Sequence, residues 1–154
     1  MKLTSSAFED HGSIPRKYTC EGADVSPPLT IEGVPSNARS LALVVEDPDA
    51  PDPAAPKMTW VHWVMYDLPP GTMSLPEGVS AAALHGREGL NDWKRTGYGG
   101  PCPPIGRHRY FFKLVALNRK LGELHRPTSA QLQRAFGAHV LAEAQLIGLY
   151  AKER

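Results

Sequence analysis

No apolar run in this 154-residue chain approaches the roughly eighteen residues of a membrane-spanning helix. There is also no run of five or more basic residues, and the formal net charge is only +1. A nucleic-acid partner therefore has no electrostatic footprint. Met1 to Asp10 lack the apolar core of a signal peptide, so the expected location is the cytoplasm. Cysteine is scarce. Cys20 and Cys102 fit neither a zinc spacing nor a Cys-x-x-Cys redox pair, and in a cytosolic chain they are expected as reduced thiols in loops. No His-x-His or His-x-x-x-His pair offers metal ligands at short range, and no Gly-x-Ser-x-Gly elbow offers a nucleophile. Neither a metal nor a cofactor is expected, and the chain carries no recognisable catalytic motif.

What the chain has in quantity is proline (15) and glycine (14), which punctuate short elements and favour a loop-rich β fold over a helical bundle. The length suits one domain, residues 1–154, and a chain of about 150 residues buries roughly 70% of its unfolded surface without help from metal or disulfides. Three stretches read as strong strands. Ser40 to Glu46 is a near-continuous apolar run fit for a central strand. Met58 to Asp67 and His108 to Leu117 are rich in aromatic and β-branched residues. Period two places Trp60, His62, Val64 and Tyr66 on one face, with Val61, Trp63 and Met65 on the other. It also places His108, Tyr110, Phe112 and Leu114 together. Leu29–Glu32 alternates like a half-buried strand, an edge strand is expected within residues 1–10, and Lys17–Cys20 reads as a short strand. Near the end, Thr128 or Ser129 caps a helix over Ala130–Phe136. A second helix is expected from Ala138 to Ala151, with Leu141, Ala144, Gln145 and Gly148 along one stripe and Lys152 and Arg154 suited to its C-terminus.

The three strands carry polar groups beside proline- or glycine-rich loops. Ser40–Glu46 runs into Asp47-Pro48-Asp49-Ala50-Pro51, where proline enforces an extended backbone and alternation turns both carboxylates the same way. His62 lies near the start of the second strand. The third begins with His108 and Tyr110, directly after the loop Gly97 to Gly106. If the strands are neighbours, these groups meet at one end, with Trp60 as an apolar wall, in the manner of a small-molecule cleft. Glycine N–H groups and imidazoles supply donors and the carboxylates orient them. That set suits a phosphate bearing an amine, or a phosphorylated side chain. Each group also has an ordinary structural reading: Asp beside Pro forms turns, and a lone strand histidine is commonly a hydrogen-bonded core residue.

The stretches Ile14-Pro15-Arg16-Lys17-Tyr18-Thr19-Cys20-Glu21-Gly22, Val25-Ser26-Pro27-Pro28-Leu29, Asp47-Pro48-Asp49-Ala50-Pro51, Val61-His62-Trp63-Val64, Gly89-Leu90-Asn91-Asp92-Trp93, Gly97-Tyr98-Gly99-Gly100-Pro101-Cys102-Pro103-Pro104 and His108-Arg109-Tyr110 resemble the phosphatidylethanolamine-binding protein family, in its prokaryotic Raf-kinase-inhibitor-like branch. The resemblance runs over essentially the whole chain. It implies a mainly β fold, a two-sheet Greek-key β-sandwich with peripheral helices and a C-terminal helix. It further implies an anion pocket formed by Asp47, Asp49, Trp60, His62, Gly100 through its backbone, His108 and Tyr110. By resemblance the function is a binding or regulatory module for phosphate-bearing ligands such as a phosphoethanolamine headgroup, and the chain forms a homodimer. The alternatives are an inhibitor of a kinase or protease acting through a protein interface, and a hydrolase using the His/Asp cluster.

Overall fold

The structure is a computed structural model and describes residues 1–152. Arg154, expected at a helix end, lies outside the described residues. The chain forms strands β1 (Lys2–Thr4), β2 (Gly12–Ser13), β3 (Leu29–Glu32), β4 (Ser40–Ala50), β5 (Met58–Leu68), β6 (Ser74–Leu75), β7 (Arg87–Glu88) and β8 (His108–Leu117), then helix α1 (Ser129–Phe136) and strand β9 (Val140–Tyr150). A small antiparallel sheet has the order β1-β3-β6. A larger one has the order β2-β9-β8-β4-β5-β7. The apolar run at 40–46 makes β4 central: β5 and β8 flank it, both antiparallel. From β5 the chain passes through β6 in the small sheet and β7 on the outer edge of β5, then crosses β5 and β4 to enter β8, a Greek-key connection.

Two apolar layers result. Between the sheets, Leu3, Leu29, Ile31 and Leu75 of the small sheet pack on Leu43, Val45, Trp63, Met65, Phe112 and Leu114 of the large one. On the opposite face of the large sheet, Val44, Val64, Tyr66 and Val115 pack under Leu132 and Phe136 of α1. That helix starts as expected. Thr128 accepts from the Gln131 N–H while the Gln131 side chain accepts from the Thr128 N–H, a reciprocal cap.

Three expectations are corrected. The stretch Ala138–Ala151 is not a second helix: Val140–Tyr150 is strand β9, laddered to β8 from His108↔Tyr150 to Leu117↔Val140. The open edge of β8 supplies a partner for every residue of β9 but Leu141, which is skipped at a register shift, and long-range pairing of this kind overrides local preference. Among the described residues the α-helix near the C-terminus is α1, followed directly by a 3-10 turn at Gly137–His139. Lys17–Cys20 is not a strand either; Arg16–Tyr18 is a 3-10 turn closed by the Thr19 hydroxyl donating to the Arg16 carbonyl. The third correction bears on the site. Val45 pairs with Trp63, but Glu46 pairs with Val61, so His62 is an extra residue in β5. Such a bulge re-aims side chains. Val61 consequently joins Val64 and Tyr66 on the helix side, whereas His62 packs on the Tyr110 ring at 5.2 Å, on the inter-sheet side. Period two alone had put His62 with Val64 and Tyr66.

Candidate functional site

A cleft of about 350 Å³ opens where β4, β5 and β8 end together. Asp47, Trp60, His62, His108 and Tyr110 line it, joined by Trp93. Trp60 and Trp93 meet edge to face at 5.6 Å and form its aromatic side. The opposite side comes from Pro51 and from Cys102 to Pro104. The Ala50–Pro51 peptide is cis.

His108 is almost wholly buried at the cleft base. Its Nδ1 lies 2.5 Å from Asp47 Oδ2, while Nε2 donates to the carbonyls of Ile105 at 2.8 Å and Pro51 at 3.1 Å. Both ring nitrogens are thus committed to protein acceptors, and one proton is held between Nδ1 and the carboxyl. Burial pushes the Asp47 carboxyl above its ordinary range, against the opposing pull of His108 and of the Asp49 N–H that donates to Asp47 Oδ1. Asp49 turns away from the cleft. It accepts from the Arg109 N–H and from two nitrogens of the Arg109 guanidinium, and these bonds hold its carboxyl below the usual range.

The two groups with capacity to spare are His62 and Tyr110. His62 donates from Nδ1 to the Gly99 carbonyl at 2.7 Å, which makes Nε2 the acceptor nitrogen of a neutral ring. Burial lowers its pKa to about 4, despite the carbonyls of Gly99 and Gly100, so the ring is neutral at pH 7. In the ligand-free protein the ring therefore stays uncharged well below neutrality. The Tyr110 hydroxyl is buried and has no hydrogen-bond partner among the described residues. Burial, then the nearby Asp47 charge, pushes its ionisation well up, so it is a donor throughout the ordinary pH range.

The loop that closes the cleft is bolted to the N-terminal segment. Tyr98 donates its hydroxyl to the Tyr18 carbonyl at 2.7 Å, Gly100 N–H donates to Asp24 Oδ1 at 2.8 Å, and Cys20 N–H donates to the Pro101 carbonyl at 3.1 Å. Gly100 is a docking position: a Cβ there would meet Asp24 Oδ1 and the Tyr18 carbonyl, each at 2.3 Å. Cys20 and Cys102 are joined in a disulfide with 5.4 Å between Cα atoms, which corrects the expectation of two reduced thiols. The approach follows from the same loop-to-segment hydrogen bonds, which no spacing of 82 residues reveals.

Of the expected site residues, the fold gathers Asp47, Trp60, His62, His108 and Tyr110 around one cavity. Asp49 and Gly100 support it from behind, the first through Arg109 and the second through Asp24. Sequence reasoning missed Trp93 and Met58 as lining, and it expected glycine N–H groups from the Gly97–Gly106 loop where Cys102 to Pro104 are what face the cleft. Trp93 is placed by Asn91, whose buried side chain accepts from the Trp93 N–H and donates to the Gly97 carbonyl. An Asn-Asp-Trp run inside a long irregular segment was the available signal. No group of three or more metal-ligating side chains occurs among the described residues, nor is any described helix long and apolar enough to cross a membrane.

A two-sheet sandwich with a small polar-based cleft at the strand ends defines a ligand-binding class of β domain. Residues 4–151 match the family model "Phosphatidylethanolamine-binding protein", and the chain belongs to that family. A UPF0098 protein of Methanothermobacter thermautotrophicus is 46% identical, the match covering 99% of each chain. Among solved structures, a phosphatidylethanolamine-binding protein homologue of Chlamydia trachomatis superposes with a TM-score of 0.92 at 41% identity, covering 99% of this chain and 97% of the other. YbcL of E. coli, a member of the mammalian family by its description, gives 0.85 at 28% identity, covering 99% and 98%.

Proposed function

We propose that this chain is a binding module whose cleft receives the phosphate-bearing end of a small ligand, either a phosphoethanolamine-like headgroup or a phosphorylated side chain. The observation that carries the reading is the Tyr110 hydroxyl, buried and unpartnered beside the His62 ring. Leaving such a group unpaired costs about 1–3 kcal/mol, which a ligand oxygen offsets. Tyr110 donates; His62 Nε2 accepts. That pairing favours a ligand that brings its own proton, and the monoanion of a phosphate monoester carries one P–OH. Trp60 and Trp93 offer an apolar flank to the organic part. Asp47 and His108 act as positioning residues, fixing the Pro51 and Ile105 carbonyls that shape the walls. Membership of a family named for phosphatidylethanolamine supports the ligand class.

Titration of phosphoethanolamine and phosphotyrosine by NMR, against wild type, His62→Ala and Tyr110→Phe, tests it. Clustered shifts at the cleft in wild type, weakened in both variants, are expected. Equal responses in all three would remove the reading.

We also infer binding rather than turnover. His108 has no uncommitted ring nitrogen, and Cys102, the sulfur in the cleft wall, is bonded to Cys20. Turnover on a panel of phosphate, ester and lactone substrates would overturn this. A phosphorylated side chain on a kinase or protease would make the chain a regulator through the same cleft, and pull-down with an Asp47→Asn variant separates that case. A homodimer is proposed by family resemblance and is checked by sedimentation equilibrium. A cytoplasmic location is likewise proposed. The disulfide argues the other way, since such bonds persist in oxidising compartments. Thiol counting after rapid alkylation of intact cells decides between them.

A further inference from the structure

We propose that the outer edge of β9, over residues 140–146, is a docking site for an extended segment of a partner protein, which adds to the large sheet as an antiparallel strand and sets a cationic side chain opposite Glu143. The inference is independent of the cleft.

The edge is open by register. β9 pairs with β8 without a shift from Ala142 to Tyr150. Along such a strand the backbone groups of successive residues point alternately to the two sides. Ile147 turns its groups away from β8: its N–H donates to Asp10 Oδ1 at 2.8 Å, and its carbonyl accepts from the His11 N–H at 2.6 Å. The Leu149 carbonyl likewise accepts from the Ile14 N–H. Glu143 and Gln145 share that parity, so their N–H and C=O groups also face outwards. The pairing with β2 stops at Gly148, and among the described residues no hydrogen bond reaches the outward groups of Glu143 or Gln145. Exposed edges are ordinarily blunted by proline, lysine or a covering segment. Val140-Leu141-Ala142-Glu143-Ala144-Gln145-Leu146 has neither residue.

A hollow lies on each face of this edge, and both reach Ala144 and Gln145. The one on the helix side, about 450 Å³, is bounded by Lys113 and by Gln133 and Phe136 of α1. The one on the inter-sheet side, about 370 Å³, is bounded by Leu3 and Phe8. Side chains of an added strand alternate between the two faces, so main-chain bonds supply affinity and the hollows supply selectivity. Opposite the small Ala144, a large apolar side chain packs towards Leu3 and Phe8.

Charge selects the occupant. On the helix side Lys113 is paired with Glu46, whereas the exposed Glu143 carboxylate has no ion pair among the described residues. A second copy fits badly. Outward-facing residues must meet outward-facing residues, and the longest register that avoids Asp10 and His11 sets Glu143 opposite Glu143. Like charges directly opposite are destabilising. Shifting that register one way drives the second strand into Asp10 and His11, and shifting it the other way shortens the ladder onto the irregularity at Leu141. A lysine or arginine from a different chain turns the repulsion into attraction, with its aliphatic stem lying against Phe136.

The probe is the capped hexapeptide acetyl-Val-Thr-Leu-Lys-Val-Thr-amide, which sets leucine opposite Ala144 and lysine opposite Glu143. Binding is followed by NMR titration and amide hydrogen exchange. In the free protein the Glu143 and Gln145 amides are expected to exchange fast, while those of Ala144 and Leu146, bonded to β8, exchange slowly. Peptide should slow the first pair and shift resonances along β9, α1 and residues 1–10. Replacing the peptide lysine by glutamate should weaken binding about fivefold, and Glu143→Lys should reverse that preference. A peptide N-methylated at the lysine backbone nitrogen, which cannot donate to the edge, should bind about fivefold or more weakly. Slow exchange at Glu143 and Gln145 in the free protein, equal affinity for the lysine and glutamate peptides, undiminished binding of the N-methylated peptide, shifts confined to the cleft, or no binding of any peptide would each overturn the proposal. Protection of these two amides that grows with protein concentration alone would assign the edge to a second copy and overturn it as well.

Discussion

Lowering the pH from about 7 to about 4.5 should destabilise this protein through His62, whose buried ring is neutral when folded and free to charge when unfolded. Its folded pKa of about 4 lies below the ordinary 6.5. The sign follows from proton counting. Below pH 6.5 the unfolded chain binds a proton at this position that the native protein refuses, so stability falls with pH until the folded value is reached. The contribution is fully present above 6.5 and is lost as pH falls through about 4. Integrated between pH 7 and 4.5 with these two values, the loss is about 2 kcal/mol. For a chain of this size that is a drop of about 5–10 °C in Tm. His62→Gln keeps a donor for the Gly99 carbonyl and removes the titration. Urea unfolding of both proteins at the two pH values isolates the effect, because Asp47, Asp49 and the remaining carboxylates titrate in both. Wild type should lose about 2 kcal/mol more than the variant over this range. Equal losses would refute the reading of His62 as a buried neutral ring.

Phosphoethanolamine affinity should rise as pH falls through about 6, where the phosphate dianion takes up a proton to become the monoanion; a sulfate-ester analogue, which stays deprotonated, should show no such rise in the same calorimetric series. Tyr110→Phe should leave the ligand-free stability within about 1 kcal/mol of wild type, since it removes an unpaired buried hydroxyl, yet weaken phosphate binding about tenfold. Gly100→Ala should cost about 1–3 kcal/mol by chemical denaturation, because the added methyl meets the Tyr18 carbonyl at 2.3 Å, a backbone atom that cannot swing aside.

The three long strands were legible because each has many apolar or β-branched residues in a row, and buried strands need little else. Asp47 and the extended Asp-Pro-Asp run were legible from proline stereochemistry, and β4 indeed runs through to Ala50. The bulge at His62 was not. Its cause is a register with β4 that no residue in β5 announces, and it moved His62 and Trp60 to the face opposite to that given by strict alternation. The tail was misread for a related reason. Val140 to Gln145 alternates weakly and contains good helix formers, but the edge of β8 decides its state. The Gly100 N–H looked available for an anion and is instead given to Asp24, a residue 76 positions away. His108 looked like a ligand donor and is consumed by three protein acceptors. In each case the residue types were right for a polar cleft, and long-range partners that sequence spacing does not encode set their roles.

The placement of the tryptophans gives the protein its own optical reporter. The chain has three. Trp63 is 1% exposed in the core, packed edge-on against Tyr98. Trp60 and Trp93 stand at the cleft mouth, with Trp93 38% exposed. Intrinsic emission thus divides into a blue-shifted component shielded from iodide and a red-shifted component open to it. Occupancy of the cleft should alter the second and leave the first as an internal standard, so ligands can be screened by quenching on the unlabelled chain.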